Sequence, residues 1–282
     1  MGPRERKSLL CPNCRKLISS SEEVCPYCAT RTPASMLKRD FISSLLTNPY
    51  DIIKIIISVN AALYILTLVL DPASTGLSGN PLAFLSPSSN SLLLLGATGT
   101  YPIGRFGSWW TLLSACYLHG GILHILFNML ALRQIGPLVI HEFGVHRFFA
   151  IYTITGIVGF FLSWVAGVSF TIGASASVCG LIGATLFYGK ARGGSFGTAL
   201  FRQVLGWLVI IAIFGFIVPG INNWAHGGGA ASGIVLAFLL GYNDRNSENH
   251  RHRFLAMGCV GLTVTILLWA ILRAMYYAFT IS

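Results

Sequence analysis

The sequence has few charged residues. Aspartate, glutamate, lysine and arginine together make up 10% of the 282 residues, whereas hydrophobic residues make up 54%. A soluble domain carries about 25% charged residues, so a soluble fold of this length could not cover its surface. The hydrophobic residues also occur in blocks of about twenty, the length of helix that crosses the hydrocarbon core of a bilayer. The sequence therefore predicts an all-α, polytopic integral membrane protein.

Carboxylates are especially scarce, with nine in the whole chain. None lies in the middle of an apolar segment and the chain shows no repeated halves, which argues against an ion-coupled transporter. The first fifty residues are polar and basic and lack the signal-peptide pattern of charge, apolar stretch and cleavage site. The net charge of +10 would suit nucleic-acid binding, but the basic residues lie at the ends of apolar segments, where membrane topology explains them.

The chain divides into a head, a linker and a membrane domain. We predict a polar head at 1–40, a linker at 41–50, a six-helix membrane core at 51–242, and a cytoplasmic loop with a seventh spanning helix at 243–282. The predicted spanning segments are 52–70, 119–136, 148–167, 173–189, 204–219, 224–242 and 254–277. The stretch 71–108 is rich in proline, glycine and serine, and loops of this length are uncommon unless they are functional.

The distribution of basic residues predicts the orientation. With the N-terminus in the cytoplasm, every lysine and arginine except Arg105 and Arg273 falls on the inner side, as the positive-inside rule requires. This topology places the C-terminus outside the cytoplasm. We expect the protein to reside in the cell membrane.

Three predicted spanning segments carry polar side chains, which are costly in a bilayer and therefore indicate function. These side chains are His119, His124 and Asn128 on the second segment, Ser175 and Ser177 on the fourth, and His226 on the sixth, after Asn222 and Asn223. All three segments run inwards from the outer face, so a hydroxyl, an imidazole and an amide are expected at similar depth. His124 and Asn128 are four residues apart and share one helix face.

Structural explanations exist for each of these residues. Serines in membrane helices often bond to their own backbone or join neighbouring helices, and His226, His124 and Asn128 could serve helix packing. Small residues accompany them, namely Gly173, Gly180, Gly183, Gly227, Gly228, Gly229 and Gly233. Such residues let helices approach closely, which would allow serine and histidine to reach hydrogen-bonding distance, although general packing is their commoner use.

Three motifs resemble those of the rhomboid intramembrane serine proteases, over about residues 50–280. They are His119-Gly-Gly-Ile-Leu-His124-Ile-Leu-Phe-Asn128, then Gly173-Ala-Ser175-Ala176 continuing to Gly180-Leu-Ile-Gly183, and Ala225-His226-Gly-Gly-Gly229. The resemblance implies that Ser175 is the nucleophile and His226 its general base, without an acidic third member. It implies that His124 and Asn128 form an oxyanion hole with the Ser175 backbone N–H. It also implies structural roles near the site for His119, Gly173 and Gly229.

The sequence departs from the family pattern at three positions. Ala176 stands where the serine motif usually has glycine, and Cys179 stands where an aromatic residue often follows the serine. Trp109-Trp110-Thr111 keeps the tryptophan of a Trp-Arg pair but lacks the arginine. The six-helix core followed by a seventh helix is similar to the longer form of the family.

The head contains two Cys-x-x-Cys pairs, formed by Cys11, Cys14, Cys25 and Cys28. Four thiolates suit a closed tetrahedral zinc site, and the predicted cytoplasmic location disfavours the alternative of disulfides. We predict a zinc-ribbon-like module with structural Zn²⁺, which binds a cytoplasmic protein partner. No basic and aromatic platform accompanies the cysteines, which argues against nucleic acid.

Together these features predict an intramembrane serine endopeptidase that cleaves single-span or polytopic membrane proteins near the outer leaflet and needs no cofactor for catalysis. The alternative is an inactive rhomboid-like adaptor that binds the transmembrane helices of client proteins in the lipid bilayer.

Overall fold

Each predicted apolar segment overlaps one long helix. A computed structural model describes residues 8–11, 13–14, 16–19, 21–30, 48–77, 84–244 and 247–281. Most of the predicted linker, 41–47, lies outside the described residues. The helices of the described part are α1 Asp51–Leu70, α2 Ser89–Leu94, α3 Thr100–Phe106, α4 Thr111–Ser114, α5 Ile122–Phe143, α6 Val145–Val165, α7 Ser175–Arg192, α8 Gly194–Ile217, α9 Asn223–Leu240 and α10 His250–Ile281. Strands β1 Ser8–Leu10 and β2 Leu17–Ser19 pair antiparallel in the head, and β3 Gly76–Leu77 pairs with β4 Phe84–Ser86.

Five of these helices, α1, α5, α6, α8 and α10, are long and apolar enough to cross a membrane. The chain is therefore an all-α polytopic membrane protein with a small N-terminal module. Helices α7 and α9 have 18 residues each and are rich in glycine, serine and alanine. They correspond to the predicted spans 173–189 and 224–242, for which membrane crossing stays a prediction.

The centre of the bundle is the packing of α9 against α7 and α6. Two glycines of α9 make this packing possible. A Cβ at Gly229 would collide with the backbone carbonyl of Ala176, and a Cβ at Gly233 would collide with that of Gly180. Because both positions lack a side chain, the backbones of α7 and α9 lie in direct contact.

The described residues between α1 and α5, 71–77 and 84–121, form a folded stretch. Ser88 caps α2 by accepting a hydrogen bond from the Ser91 N–H. Helix α3 ends at Gly107, which adopts the left-handed conformation with φ 62°. An isolated β-bridge between Thr98 and Thr171 then fastens this stretch to the chain that enters α7.

Candidate active site

Ser175 and His226 lie at the first turns of two adjacent helices. Ser175 is the first residue of α7, and His226 is the fourth residue of α9. The Ser175 Oγ and the His226 Nε2 are 2.9 Å apart, a hydrogen-bonding distance. The two side chains therefore meet in the structure, and their depth in a membrane stays a prediction.

Among the described residues, the ring of His226 forms a hydrogen bond with Ser175. Its Nδ1 is buried and has no hydrogen-bond partner among the described residues. With Nδ1 protonated, Nε2 carries a lone pair that accepts the hydrogen bond from the Ser175 hydroxyl. The geometry is that of a two-residue pair, because no carboxylate of the described chain bonds to the imidazole.

His124 presents a donor next to this serine. The backbone N–H of Gly120 lies 3.3 Å from His124 Nδ1, so Nδ1 accepts and the neutral ring carries its proton on Nε2. The Nε2 lies 2.7 Å from the position that a Cβ of Gly173 would occupy, and Ser175 Oγ lies 3.5 Å from the same point. Gly173 therefore leaves an open space between a ring N–H and the hydroxyl.

Asn128 lies one turn further along α5. Its amide donates to the His124 carbonyl over 2.9 Å. An amide nitrogen has two hydrogens, so one remains for another acceptor. His119, in contrast, is fully buried, and its ring packs edge-on against His124 with the centroids 5.0 Å apart.

Comparisons with known proteins identify the family of this chain. The family model of the Rhomboid domain matches residues 107–243. The rhomboid-family protein YdcA of Bacillus subtilis (strain 168) is 31% identical over 160 residues, which are 55% of this chain and 80% of YdcA. The chain belongs to the rhomboid family.

Two further relatives are longer than this rhomboid. RHOMBOID-like protein 4 of Arabidopsis thaliana is 34% identical over 199 residues, 67% of this chain and 50% of that protein. Rhomboid protease GluP of Bacillus subtilis (strain 168) is 35% identical over 156 residues, 55% of this chain and 31% of GluP. The match thus spans about a third to a half of these relatives. The Rhomboid domain contains Ser175, His226, His124 and Asn128 but neither α1 nor the cysteine head.

Asn222 is a residue whose role the sequence did not reveal. As the N-cap of α9 it accepts from the Ala225 N–H, and its amide donates to Ser163 Oγ over 2.6 Å and to Thr171 Oγ1 over 3.0 Å. It therefore fixes the start of α9, and with it His226, against α6 and the chain before α7. An asparagine immediately before a helix is the usual capping signal, but its two side-chain partners are distant in sequence.

The three departures from the family pattern are accommodated by packing. Ala176 and Cys179 are buried in α7. Thr111 is also buried; its hydroxyl donates to the Ser108 carbonyl over 2.6 Å, and its oxygen lies 3.0 Å from Thr98 Oγ1. The residue at this position thus joins parts of the folded stretch between α1 and α5.

The four head cysteines of the rhomboid lie together as free thiols, with all four sulfur atoms within 4.8 Å of one another. The Cys11 and Cys28 sulfurs are 3.6 Å apart, as are those of Cys14 and Cys25. In a tetrahedral site with zinc–sulfur distances of about 2.3 Å, sulfur atoms are about 3.8 Å apart. The donor set and its spacing therefore fit a structural zinc ion.

Proposed function

We propose that this rhomboid is an intramembrane serine endopeptidase that cleaves transmembrane segments of membrane proteins near the outer leaflet. Ser175 is the nucleophile and His226 is the general base. The observation that carries the proposal is the 2.9 Å contact between Ser175 Oγ and His226 Nε2. Within the residues that the structure describes, Nδ1 of His226 has no carboxylate partner, so the pair acts as a dyad.

The reaction follows from the protonation states. The Ser175 oxygen attacks the carbonyl carbon of the scissile peptide as its proton passes to His226 Nε2. The protonated imidazole then gives this proton to the leaving amine as the carbon–nitrogen bond breaks, which leaves an acyl-enzyme. Water attacks the ester, with Nε2 as the base, and releases the carboxylic acid and the free serine.

His124, Asn128 and the Ser175 backbone N–H stabilise the oxygen that becomes negative during this attack. Two N–H groups are not used by the hydrogen bonds described above. They are the Nε2–H of His124 and the second amide hydrogen of Asn128. One such donor contributes about 3 kcal/mol to transition-state stabilisation. Gly173 keeps the space for this oxygen open.

The substrate reaches the site laterally, between α5 and α8, after its helix unwinds and exposes its carbonyls. Both helices carry large exposed apolar side chains on the way, including Leu126 and Phe127 on α5 and Phe214 on α8. Water reaches the dyad from outside the cell, since the proposed topology has a cytoplasmic N-terminus, an extracytoplasmic C-terminus and the N-terminal ends of α5, α7 and α9 outside. The cell membrane is the proposed location.

The four-cysteine head is proposed to hold zinc through Cys11, Cys14, Cys25 and Cys28. The ion would cross-link β1–β2 and the second cysteine pair, because a module of this size cannot bury a sufficient core of its own. The head then presents a folded surface to a cytoplasmic protein partner. Catalysis at Ser175 requires no metal.

The deciding experiment combines two measurements on the full chain in liposomes. Wild type should cleave a model single-span substrate and react with a fluorophosphonate at Ser175, whereas Ser175→Ala and His226→Ala should do neither at equal expression. Ser177→Ala is the matched control, because Ser177 is a buried serine on the same helix, and it should retain both activities. Cleavage by Ser175→Ala would refute the proposal, and the absence of both activities in the wild type would favour the adaptor.

A further inference from the structure

A cavity is lined by residues outside the candidate active site. It has a volume of about 390 Å³ and lies among the end of α1, helices α2 and α3, and the last turns of α10. Its walls are mainly apolar or aromatic and include Leu70, Leu93, Leu94, Tyr101 and Phe106. The one charged residue in this lining is Arg273.

The charge of Arg273 lacks a protein counter-ion in the described part of the chain, where no carboxylate lies within ion-pair distance of it. Asp71, which follows Leu70, is engaged in its own turn: hydrogen bonds from Ser88 and Ser74 hold the pKa of its carboxyl below the ordinary value. Arg273 is partly buried, and an anionic ligand would balance its charge beside the apolar lining of the cavity.

The guanidinium of Arg273 lies close to two aromatic rings. Its central carbon lies 5.5 Å from the ring centroid of Trp110 and 5.5 Å from that of Tyr277. A cation–π contact places the cation over the face of the aromatic ring, and an aromatic ring offers the guanidinium N–H groups no carboxylate or phosphate acceptor. Phosphate and carboxylate oxygens are the groups that match the N–H edge of a guanidinium in a bidentate manner.

The length of α10 places Arg273 near a membrane surface if the other surface lies at Arg253. About twenty residues without a charge separate it from Arg253 on α10, which is about 30 Å of helix, and this equals the thickness of the hydrocarbon core. Tyr276, Tyr101 and Trp109, all exposed, lie near the same end, as expected of an aromatic belt at the headgroup level. Arg273 is moreover one of the two basic residues that the positive-inside rule leaves on the outer side.

We propose that this cavity binds a glycerophospholipid, with its phosphate on Arg273. The glycerol region lies against Leu93, Leu94 and Phe106, and the acyl chains continue along the exposed apolar side chains Leu268 and Leu272 of α10. Bound there, the lipid bridges α10 to the folded stretch that is fastened to the chain before α7. The inference does not depend on the proposed protease activity.

Native mass spectrometry of the delipidated full chain in detergent tests this site. The probes are phosphatidylglycerol, diacylglycerol with the same acyl chains, and inorganic phosphate. We expect Arg273→Gln to weaken phosphatidylglycerol binding at least tenfold, and diacylglycerol and inorganic phosphate to bind the wild type at least tenfold more weakly than the phospholipid. Arg105→Gln is the matched control: Arg105 is an exposed arginine of α3 outside the cavity lining, and its loss should leave binding unchanged.

Two further variants separate the site from its alternatives. Ala278→Trp fills the cavity but keeps the charge of Arg273, and it should also weaken the binding of the phospholipid. Arg273→Lys keeps the charge but not the bidentate edge, and it should bind several-fold more weakly; it carries the test if Arg273→Gln does not fold. The proposal would be overturned if Arg273→Gln or Arg273→Lys bound the phospholipid as tightly as the wild type does. Inorganic phosphate binding as tightly as the phospholipid would overturn the lipid assignment.

Discussion

Glu248 and His146 are joined by two hydrogen bonds although 102 residues separate them in the chain. The Glu248 Oε1 accepts from the His146 backbone N–H over 2.8 Å, and Oε2 lies 2.9 Å from His146 Nδ1. The Arg147 backbone N–H donates to the same carboxylate over 3.0 Å. Glu248 thus caps the first turn of α6 and ties the loop before α10 to the turn between α5 and α6.

Glu248→Gln should destabilise the fold. The substitution retains the shape but replaces one acceptor oxygen with an amide that faces N–H donors, so we expect a loss of about 2–4 kcal/mol in the free energy of unfolding. Thermal unfolding in detergent measures this. Asp244→Asn is the matched control, because Asp244 lies in the same loop, is exposed and pairs with Arg192; a surface pair contributes only about 0.5 kcal/mol. Equal melting temperatures for both variants would contradict the capping role.

The same carboxylate makes stability depend on pH. Burial raises the pKa of Glu248, but the hydrogen bonds from His146 and the Arg147 N–H outweigh burial and hold the folded-state pKa below the ordinary 4.5. Its contribution is therefore fully present above pH 4.5 and is lost as the pH falls through the folded-state pKa. The difference in melting temperature between wild type and Glu248→Gln should be constant near neutral pH and shrink below pH 4.5. A difference that grew on acidification would reverse the assigned direction.

The close contact of α7 and α9 predicts opposite effects at two neighbouring glycines. Gly229→Ala would press its methyl group into the Ala176 carbonyl, so we expect a loss of about 1–3 kcal/mol and a longer Ser175–His226 distance, with slower fluorophosphonate labelling. Gly227→Ala adds a methyl group that meets no atom within 4 Å and should be neutral or stabilising by up to about 1 kcal/mol. Both variants are compared by melting temperature and labelling rate. Similar behaviour would mean that backbone contact does not set the helix spacing.

The sequence predicted the helices and the serine–histidine pair because both depend on position along the chain. The length of an apolar run predicts a helix, and the positions of Ser175 and His226 near the starts of their segments predict that the two side chains meet. The side-chain partners of Asn222 could not be predicted in this way. They require the start of α9, helix α6 and the chain before α7 to meet in space, and no local sequence pattern indicates this. Arg147 shows the same limit: its position before an apolar segment does not reveal that its side chain is fully buried and donates to the Phe143 and Ser247 carbonyls.

Removal of one head cysteine should unfold the head alone. Wild type is expected to contain one zinc ion per chain by elemental analysis, and Cys14→Ser should lose it, because a closed site needs all four thiolates. The head should then become sensitive to limited proteolysis, while the thermal transition of the membrane core stays unchanged. Cys259→Ser, which alters a buried cysteine of α10, should keep the zinc. Two disulfides in the intact protein, detected by the hydrogens missing from its mass, would contradict the zinc site.

Gly173→Ala tests the open space beside the nucleophile. Gly173 has φ +129°, and its added methyl group would lie 2.7 Å from His124 Nε2, where the proposal places the negatively charged oxygen of the intermediate. Because the oxygen then loses its position among the donors, we expect kcat/KM for a single-span substrate to fall at least about 100-fold.

Backbone strain alone must be separated from this crowding. Gly167→Ala supplies the control, since Gly167 also has a positive φ, +84°, but its methyl group would meet no atom within 4 Å. Both variants should lose about 1–2 kcal/mol of stability from the strained backbone, and Gly167→Ala should keep kcat/KM within about threefold of wild type because it leaves the donors untouched. If Gly173→Ala cleaved as well as Gly167→Ala at equal folded fraction, the oxygen of the intermediate could not lie between His124 and Ser175, and other donors would have to be sought.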